Sequence, residues 1–292
     1  MVNLYELAQC HPGQFKQFRC KEILFLIVEC PPDFVKGQEF AQHNCFIYGL
    51  AGKHLLFNSE KSWLFEQGQT VFVKKGGMGV QRVDDGLFCV MIFYVPDSYL
   101  HAFINEKIEI FSGIDAHPSD DLILPIETND VLHSYFDSVL SYFNSECRPA
   151  EDLIELKFKE LLLNIFTNPA NNELKQYIYR LSLSADDQLH DVMIRNYMYD
   201  LKLEDYARLC HRSLASFKRD FQKIYETTPG RWLLQKRLEK AKHLLLCANK
   251  SVNDAAFESG FKNNTHFSRV FRNFSGFSPL QFKKSQLQLS DN

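Results

Sequence analysis

Two short tracts hold the residues best suited to chemistry in this chain. Phe217-Lys218-Arg219-Asp220-Phe221 recurs 50 residues later as Phe267-Ser268-Arg269-Val270-Phe271. At the same offset Thr228-Pro229 recurs as Ser278-Pro279, and Trp232 as Phe282. Phenylalanines at i and i+4 of a helix share one face. An arginine between them falls off that face and is free to point outward. Such an arginine suits reading guanine through two parallel hydrogen bonds, or clamping a phosphate. Arg219 and Arg269 are therefore the leading candidates for contact with nucleic acid.

An internal repeat constrains architecture more than any single motif. Each copy reads as helix, tight turn, helix, and two such units side by side suit consecutive major grooves of DNA. In the first copy Lys218 and Lys223 lie off the aromatic face. In the second, Phe267, Phe271 and Phe274 are expected to point inward. That leaves Asn264, Thr265, His266, Ser268 and Arg269 outward, chiefly at the helix start. Asn263 is expected to cap this helix, and Asn264 to reach the groove. Arg212, Lys223, Lys262 and Arg272 are candidate phosphate contacts.

Charge is divided along the chain. Of 33 Lys/Arg and 36 Asp/Glu, residues 200–292 hold 17 and 9, and residues 1–199 hold 16 and 27. A basic block joined to an acidic one fits a protein in which one domain meets phosphate and the other does not. None of the eight cysteines forms a C-x-x-C pair. Zinc and redox motifs are therefore unsupported, and free thiols suit a reducing compartment. The N-terminus lacks the pattern of a secretion leader, and no apolar run reaches membrane-spanning length. The expectation is a cytoplasmic protein that needs no cofactor or metal and does not meet a membrane.

Before the repeat the chain changes period once. Residues 20–95 read as short strands over 20–30, 43–50, 53–58, 62–65, 70–74, 80–83 and 87–95. Glycine-containing turns separate them, Gly76-Gly77 and Asp84-Asp85-Gly86 among them. This pattern predicts a small barrel or jelly roll. Two amphipathic helices follow at 131–143 and 153–166. Their apolar faces are expected at Val131, Tyr135, Val139 and Tyr142, and at Leu153, Leu156, Leu161, Leu162 and Phe166. Amphipathicity alone leaves open whether they cover the barrel or form a dimer interface. A further short helix is expected at 174–183. Ser184-Ala185-Asp186-Asp187 reads as the N-cap of the next, with a domain boundary between residues 182 and 187.

The C-terminal block resembles the AraC/XylS family of bacterial transcription regulators from about residue 187 to 285. Leu203 to Ala207 is similar to the first helix of a helix-turn-helix, and Ser213 to Phe221 to its recognition helix. Thr228-Pro229 is similar to the following turn. Arg237-Leu238, Ala241 and Leu244-Leu245 are similar to the helix that joins the two halves. Val252, Asp254-Ala255-Ala256 and Gly260-Phe261 open the second unit, His266 to Arg272 resembles its recognition helix, and Ser278-Pro279 with Phe282 closes it. Glu226 departs from the family glycine that the second copy keeps as Gly276. The resemblance implies that Ala215, Ser216, Lys218, Asn264, Thr265 and His266 face the groove, and that the two units enter adjacent major grooves. It also implies an α+β chain. A cupin-like β-barrel with helices occupies residues 1–183, the barrel at about 1–100 and the helices at about 127–182. An all-α DNA-binding domain follows at 187–292, with units at about 203–226 and 252–276.

The first 170 residues resemble, more loosely, the barrel that precedes this domain in many members. The tract from Thr70 to Gly77 and the 153–166 helix are similar to the activators of type III secretion genes. The function implied is a promoter-binding regulator, acting as an activator with RNA polymerase and as a homodimer. Its N-terminal domain would sense a small effector or a protein partner. Two other classes were weighed. A cupin-fold enzyme fused to DNA-binding units would need a His-x-His cluster, and His43, His54 and His101 are scattered. A methyltransferase of the DNA-repair type needs four zinc-binding thiolates, and Cys10, Cys20, Cys30 and Cys45 are spaced too openly. No catalytic role is expected.

Overall fold

Which side of each strand is apolar decides the architecture of the N-terminal half. The computed structural model describes all residues except 1, 32, 59–60, 84–85, 115–118, 120, 146, 182–184, 247–249 and 291–292, and omits the side chains of 185–188 and 285–290. The Asp84-Asp85 turn, Cys247, the cap at Ser184 and much of the 182–187 boundary lie outside the described residues. Contacts divide the chain into two compact units, Met1–Gln188 and Leu189–Asn292.

Among the described residues the first unit holds ten strands. They are β1 (Lys16–Cys20), β2 (Ile23–Cys30), β3 (Lys36–Ala41), β4 (Asn44–Ala51), β5 (Lys53–Phe57), β6 (Ser62–Glu66), β7 (Thr70–Val73), β8 (Gly76–Arg82), β9 (Phe88–Val95) and β10 (Ile123–Ile126). Its helices are α1 (Leu4–Cys10), α2 (Asp97–Glu106), α3 (Asp130–Phe143), α4 (Glu151–Thr167) and α5 (Asn172–Leu181). One antiparallel sheet runs β1-β2-β9-β4-β7-β10 and the other β3-β8-β5-β6. The cupin-like pair of sheets expected from the sequence is present. Leu24, Leu26, Ile47, Val71, Val90 and Ile92 of the larger sheet meet Leu56, Phe65, Met78 and Val80 of the smaller in one apolar core.

Alternate residues of the larger sheet face the other way and make a second core with the helices. One row of this face crosses all six strands in register: Phe18, Phe25, Phe93, Phe46, Phe72 and Leu124. Phe136 of α3 lies 5.8 Å from Phe93 between ring centroids, and Phe158 of α4 lies 6.0 Å from Phe25. Tyr177 of α5 lies 5.7 Å from Phe72. The apolar faces of α3 and α4 are thus occupied by the sheet, so these helices are covers. Their buried residues include Leu132, Tyr135, Phe136 and Val139, and Ile154, Phe158, Leu161 and Phe166. Val131 and Leu156, expected inside, are 58% and 63% exposed. Tyr135, Val139, Leu161, Leu162 and Phe166 are buried as expected, and Val131 and Leu156 fall outside because both helices carry more apolar residues than one face can bury.

The lysines of the tract from Thr70 to Gly77 are structural. The Lys75 ammonium donates to Asp97 Oδ2 at 2.6 Å, with both side chains 3% exposed. Asn44 Nδ2 donates to Asp97 Oδ1 at 2.7 Å, and Asn44 Oδ1 accepts from the Lys75 backbone N–H at 2.9 Å. Lys74 donates to Ser119 O and lies over the Tyr177 ring. The group ties β4, the β7–β8 junction, α2 and α5 together. Gly76-Gly77, read as a turn, instead opens β8 and pairs with Ala41 and Phe40 of β3. β10, beyond the expected barrel limit, carries Pro125 and so reads as a loop in sequence.

α6 (Ala185–Asn196) crosses the division at Leu189, and the second unit continues with α7 (Leu203–Leu209), α8 (Leu214–Tyr225), α9 (Pro229–Leu246), α10 (Val252–Glu258), α11 (Asn264–Ser275) and α12 (Pro279–Ser290). α7 and α8 form one helix-turn-helix, and α10 and α11 the other. α9 joins them through 18 residues, about 27 Å at 1.5 Å per residue. Among the described residues no helix is long and apolar enough to cross a membrane.

Two stability tests follow. Asp97→Asn removes the carboxylate from the buried Lys75 and is expected to cost about 3–5 kcal/mol, read as a fall in the urea midpoint of the full chain. An unchanged midpoint would show that Lys75 does not depend on Asp97. Glu39, half-buried in an apolar pocket of the barrel, has its carboxyl pushed up from 4.5 to about 7 by burial. The folded state therefore holds its proton where the unfolded chain has released it. Stability from this group falls as pH rises from 4.5 to about 7 and stays low above. Glu39→Gln should raise the melting temperature at pH 8 and leave it nearly unchanged at pH 4.5.

Candidate nucleic-acid interface

Each recognition helix is positioned by its aromatic pair. Phe217 and Phe221 of α8, and Phe267 and Phe271 of α11, are fully buried. Phe217 and Phe221 sit 5.9 Å apart, and Phe221 meets Trp232 of α9 edge-on at 6.0 Å and 82°. In the second unit Phe267 and Phe271 sit 5.3 Å apart, and Phe271 meets Phe282 of α12 edge-on at 5.5 Å and 71°. The sequence repeat is thus a repeat of one packing unit. Truncating a ring of this kind costs about 3–5 kcal/mol.

Helix ends are set locally. Ser213 Oγ accepts from Ser216 N–H at the start of α8. Asn263 Oδ1 accepts from the N–H groups of Thr265 and His266 at the start of α11, as its position in the sequence suggests. Thr228 and Ser278 also act as caps: their hydroxyls accept from Arg231 N–H and Gln281 N–H. The following prolines then occupy the first helical position, where a missing N–H is harmless.

The helix faces turned away from the rings carry most of the expected contact residues. On α8, Ala215, Lys218, Arg219 and Lys223 are exposed. Ala215, Arg219 and Lys223 fall at i, i+4 and i+8, hence on one stripe. On α11, Asn264, Thr265, His266, Arg269 and Arg272 are exposed, and Thr265, Arg269 and Arg272 fall at i, i+4 and i+7. Lys262 is exposed in the turn before α11 and pairs with Asp200, itself exposed. Such a surface pair is worth little and yields readily to phosphate.

The two units differ in ways the sequence pattern hides. Arg212 is not a free phosphate ligand. Its side chain is 12% exposed, with Nε 3.3 Å from Asp220 Oδ2. It occupies the place that the core residue Phe261 fills in the second unit. Asp220 also accepts from Ser216 Oγ and from Arg219 Nε, each at 3.3 Å. Arg219 is therefore exposed but already steered, whereas Arg269 has no carboxylate partner among the described residues; Val270 stands where α8 has Asp220. Asn264 Nδ2 donates to Asn253 Oδ1 of α10 at 2.8 Å, which aims its amide. Asp220 and Asn253 are the residues that sequence reasoning missed. The i+4 step from Ser216 to Asp220 was a readable signal, and nothing local points to Asn253. Phe274, expected inside, is 42% exposed in the last turn of α11.

The turns differ as well. In the second unit Gly260 (φ +88) sits where an added Cβ would lie 2.5 Å from Met198 O, and Gly276 (φ +81) ends α11. In the first unit His211 (φ 53) and Glu226 (φ 54) hold the same left-handed conformations with side chains attached. A non-glycine residue there costs roughly 1 kcal/mol. Arg237 of α9 offsets part of this by donating from Nε to Tyr197 O at 2.6 Å and from Nη2 to Tyr199 O at 2.9 Å.

Among the described residues no three His, Cys, Asp or Glu side chains gather to hold a metal. This includes Cys10, Cys20, Cys30 and Cys45. Burial pushes the Cys30 thiol up to about 11, away from thiolate chemistry.

Both halves of the chain are similar to known proteins. Residues 44–177 match the ExsA N-terminal regulatory domain, and residues 206–285 match a helix-turn-helix domain. The virulence regulon transcriptional activator VirF of Yersinia enterocolitica is 25% identical over 256 residues, 86% of this chain and 93% of that protein. The HTH-type transcriptional regulator ExsA of Pseudomonas aeruginosa is 29% identical over 131 residues, 45% of this chain and 47% of that protein. The solved structure of ToxT from Vibrio cholerae covers 89% of this chain and 97% of its own, at 13% identity and a TM-score of 0.40.

Glu226→Gly should relieve the left-handed cap and raise stability by about 0.5–1 kcal/mol. Thermal unfolding of the full chain reads this. A lower melting temperature would mean that the Glu226 side chain stabilises the turn.

Proposed function

The chain belongs to the AraC/XylS family of bacterial transcription regulators, and we propose that it binds promoter DNA sequence-specifically and activates transcription. One observation carries the reading: two copies of one packing unit turn a buried aromatic pair inward and a polar, basic start outward, at either end of α9. The helix length of about 27 Å approaches the ~34 Å between successive major grooves on one DNA face. Each recognition helix would enter its own groove, so that one subunit reads a long asymmetric site.

In this reading Arg219 and Arg269 contact bases or line the groove. Ala215, Ser216, Lys218, Asn264, Thr265 and His266 lie beside them. Lys223, Lys262 and Arg272 hold phosphates. Arg212 braces the first turn from within. VirF is named as a transcriptional activator. By the same role this chain would act in the cytoplasm with RNA polymerase, as a homodimer. Its N-terminal half is the regulatory domain. A bound small effector or protein partner would bias it between states that differ in DNA affinity. Nothing in this reading calls for catalysis.

Selection of bound fragments from a random DNA library, with purified full-length protein and no added ligand, tests the proposal. Two base clusters about 10 base pairs apart are expected. A single cluster would overturn two-groove binding. On the selected site Arg269→Ala should weaken binding by about 1–3 kcal/mol and relax one base position. Wild-type affinity would mean that the second recognition helix does not read bases through Arg269.

A further inference from the structure

We infer that the rim of the N-terminal barrel carries an anion-binding site, built on Arg19 and Arg148, for a small organic carboxylate or phosphate. The inference deepens the regulatory reading of this half and rests on it for biological meaning.

β1 is an edge strand of the larger sheet. Phe18 and Cys20 point into the core beneath the helices. Gln17 and Arg19 alternate with them and point the other way, toward α1. Gln17 Nε2 donates to Ala8 O at 2.9 Å and to Pro12 O at 3.1 Å, which holds the end of α1 over the strand. The gap left between them is a pocket of about 300 Å³, open to solvent and lined by Ala8, Gln9, Pro12, Phe15, Gln17, Arg19 and Arg148. Among the described residues no acidic side chain lines it. That is notable in a half where acids outnumber bases 27 to 16 over residues 1–199.

Among the described residues neither arginine is paired with a carboxylate. Arg19 Nη2 is buried and has no hydrogen-bond partner. The Arg19 guanidinium carbon lies 5.7 Å from the Tyr5 ring centroid, so one side of the group meets a π-face rather than an acceptor. Arg148 is exposed on the loop between α3 and α4, and among the described residues it has no carboxylate partner. Buried polar atoms are nearly always paired, and an orphaned cationic N–H is costly. A planar guanidinium fork fits the paired oxygens of a carboxylate or phosphate. An anion in this pocket would lie against Arg19, which lines it, and gain the second charge of Arg148. The walls of Ala8, Pro12 and Phe15 would accept a short apolar body attached to it.

The test is thermal unfolding of the full-length protein titrated with sodium phosphate and, separately, sodium hexanoate, against sodium chloride at matched ionic strength. A saturable rise in melting temperature with at least one probe is expected. The probe that acts assigns the headgroup. Arg148→Gln, on an exposed loop where folding is not at stake, should weaken the apparent affinity about tenfold. Arg19→Gln should do the same if it folds, and Lys16→Gln, exposed on the same strand, should leave the titration unchanged. No saturable shift with either probe, or an equal shift in Arg148→Gln, overturns the site. Because the assay contains no DNA, that result leaves the DNA-binding reading intact. Saturable binding with no effect on DNA affinity would keep the site and overturn its regulatory meaning.

Discussion

Two aromatic rings one helical turn apart are the constraint on which the C-terminal half depends. Each recognition helix is only 12 residues long and too short to hold itself in water. It persists because Phe217 with Phe221, or Phe267 with Phe271, locks it onto the next helix through Trp232 or Phe282. Burying those two positions also fixes the helix rotation. Once rotation is fixed, the residues at i+1 and i+2 from the first ring are directed outward, whatever their identity. Arg219 and Arg269 owe their exposure to their neighbours.

The repeat is exact in its core and loose elsewhere. The second unit has glycine at both left-handed positions and Phe261 in the turn. The first has His211, Glu226 and Arg212 there. It answers with polar links, from Arg212 and Arg219 to Asp220 and from Arg237 to the backbone at Tyr197 and Tyr199. A unit held by apolar packing and one held by a charged network respond differently to salt, since exposed ion pairs are screened and buried rings are not. Among the described residues the arginine on α11 meets no carboxylate, and the one on α8 shares a carboxylate with Arg212.

In the N-terminal half a single row of five phenylalanines and Leu124 across six strands receives three helices. The buried Lys75–Asp97 pair then ties the β7–β8 junction to the helical layer. Replacing such a pair with apolar groups is often neutral, whereas breaking it leaves a charge in a poor medium. Its contribution lies in specifying one arrangement of loop and helix. The helices that amphipathicity left free to bridge two subunits have their apolar faces occupied within the chain.

The sequence by itself determined much of this protein. The 50-residue repeat identified both recognition helices, their inward rings and most of their outward residues. Strand after strand from β4 to β9 was legible from short apolar runs. These are local properties: periodicity of 2 or 3.6 and residues that cap or turn. What the sequence could not decide is which apolar residues a helix with too many of them would bury. It placed Val131, Leu156 and Phe274 inside, and packing placed them outside. Nor did it show β3, too polar to read as a strand, or β10, which contains a proline. Arg212 looked like a phosphate ligand because its charge is visible in sequence. Its burial beside Asp220 follows from a turn whose partner lies eight residues away. The orphaned Arg19 near Arg148, far apart in the chain, is likewise a fact of tertiary structure, because only the fold brings an edge strand, a helix end and a distant loop around one pocket.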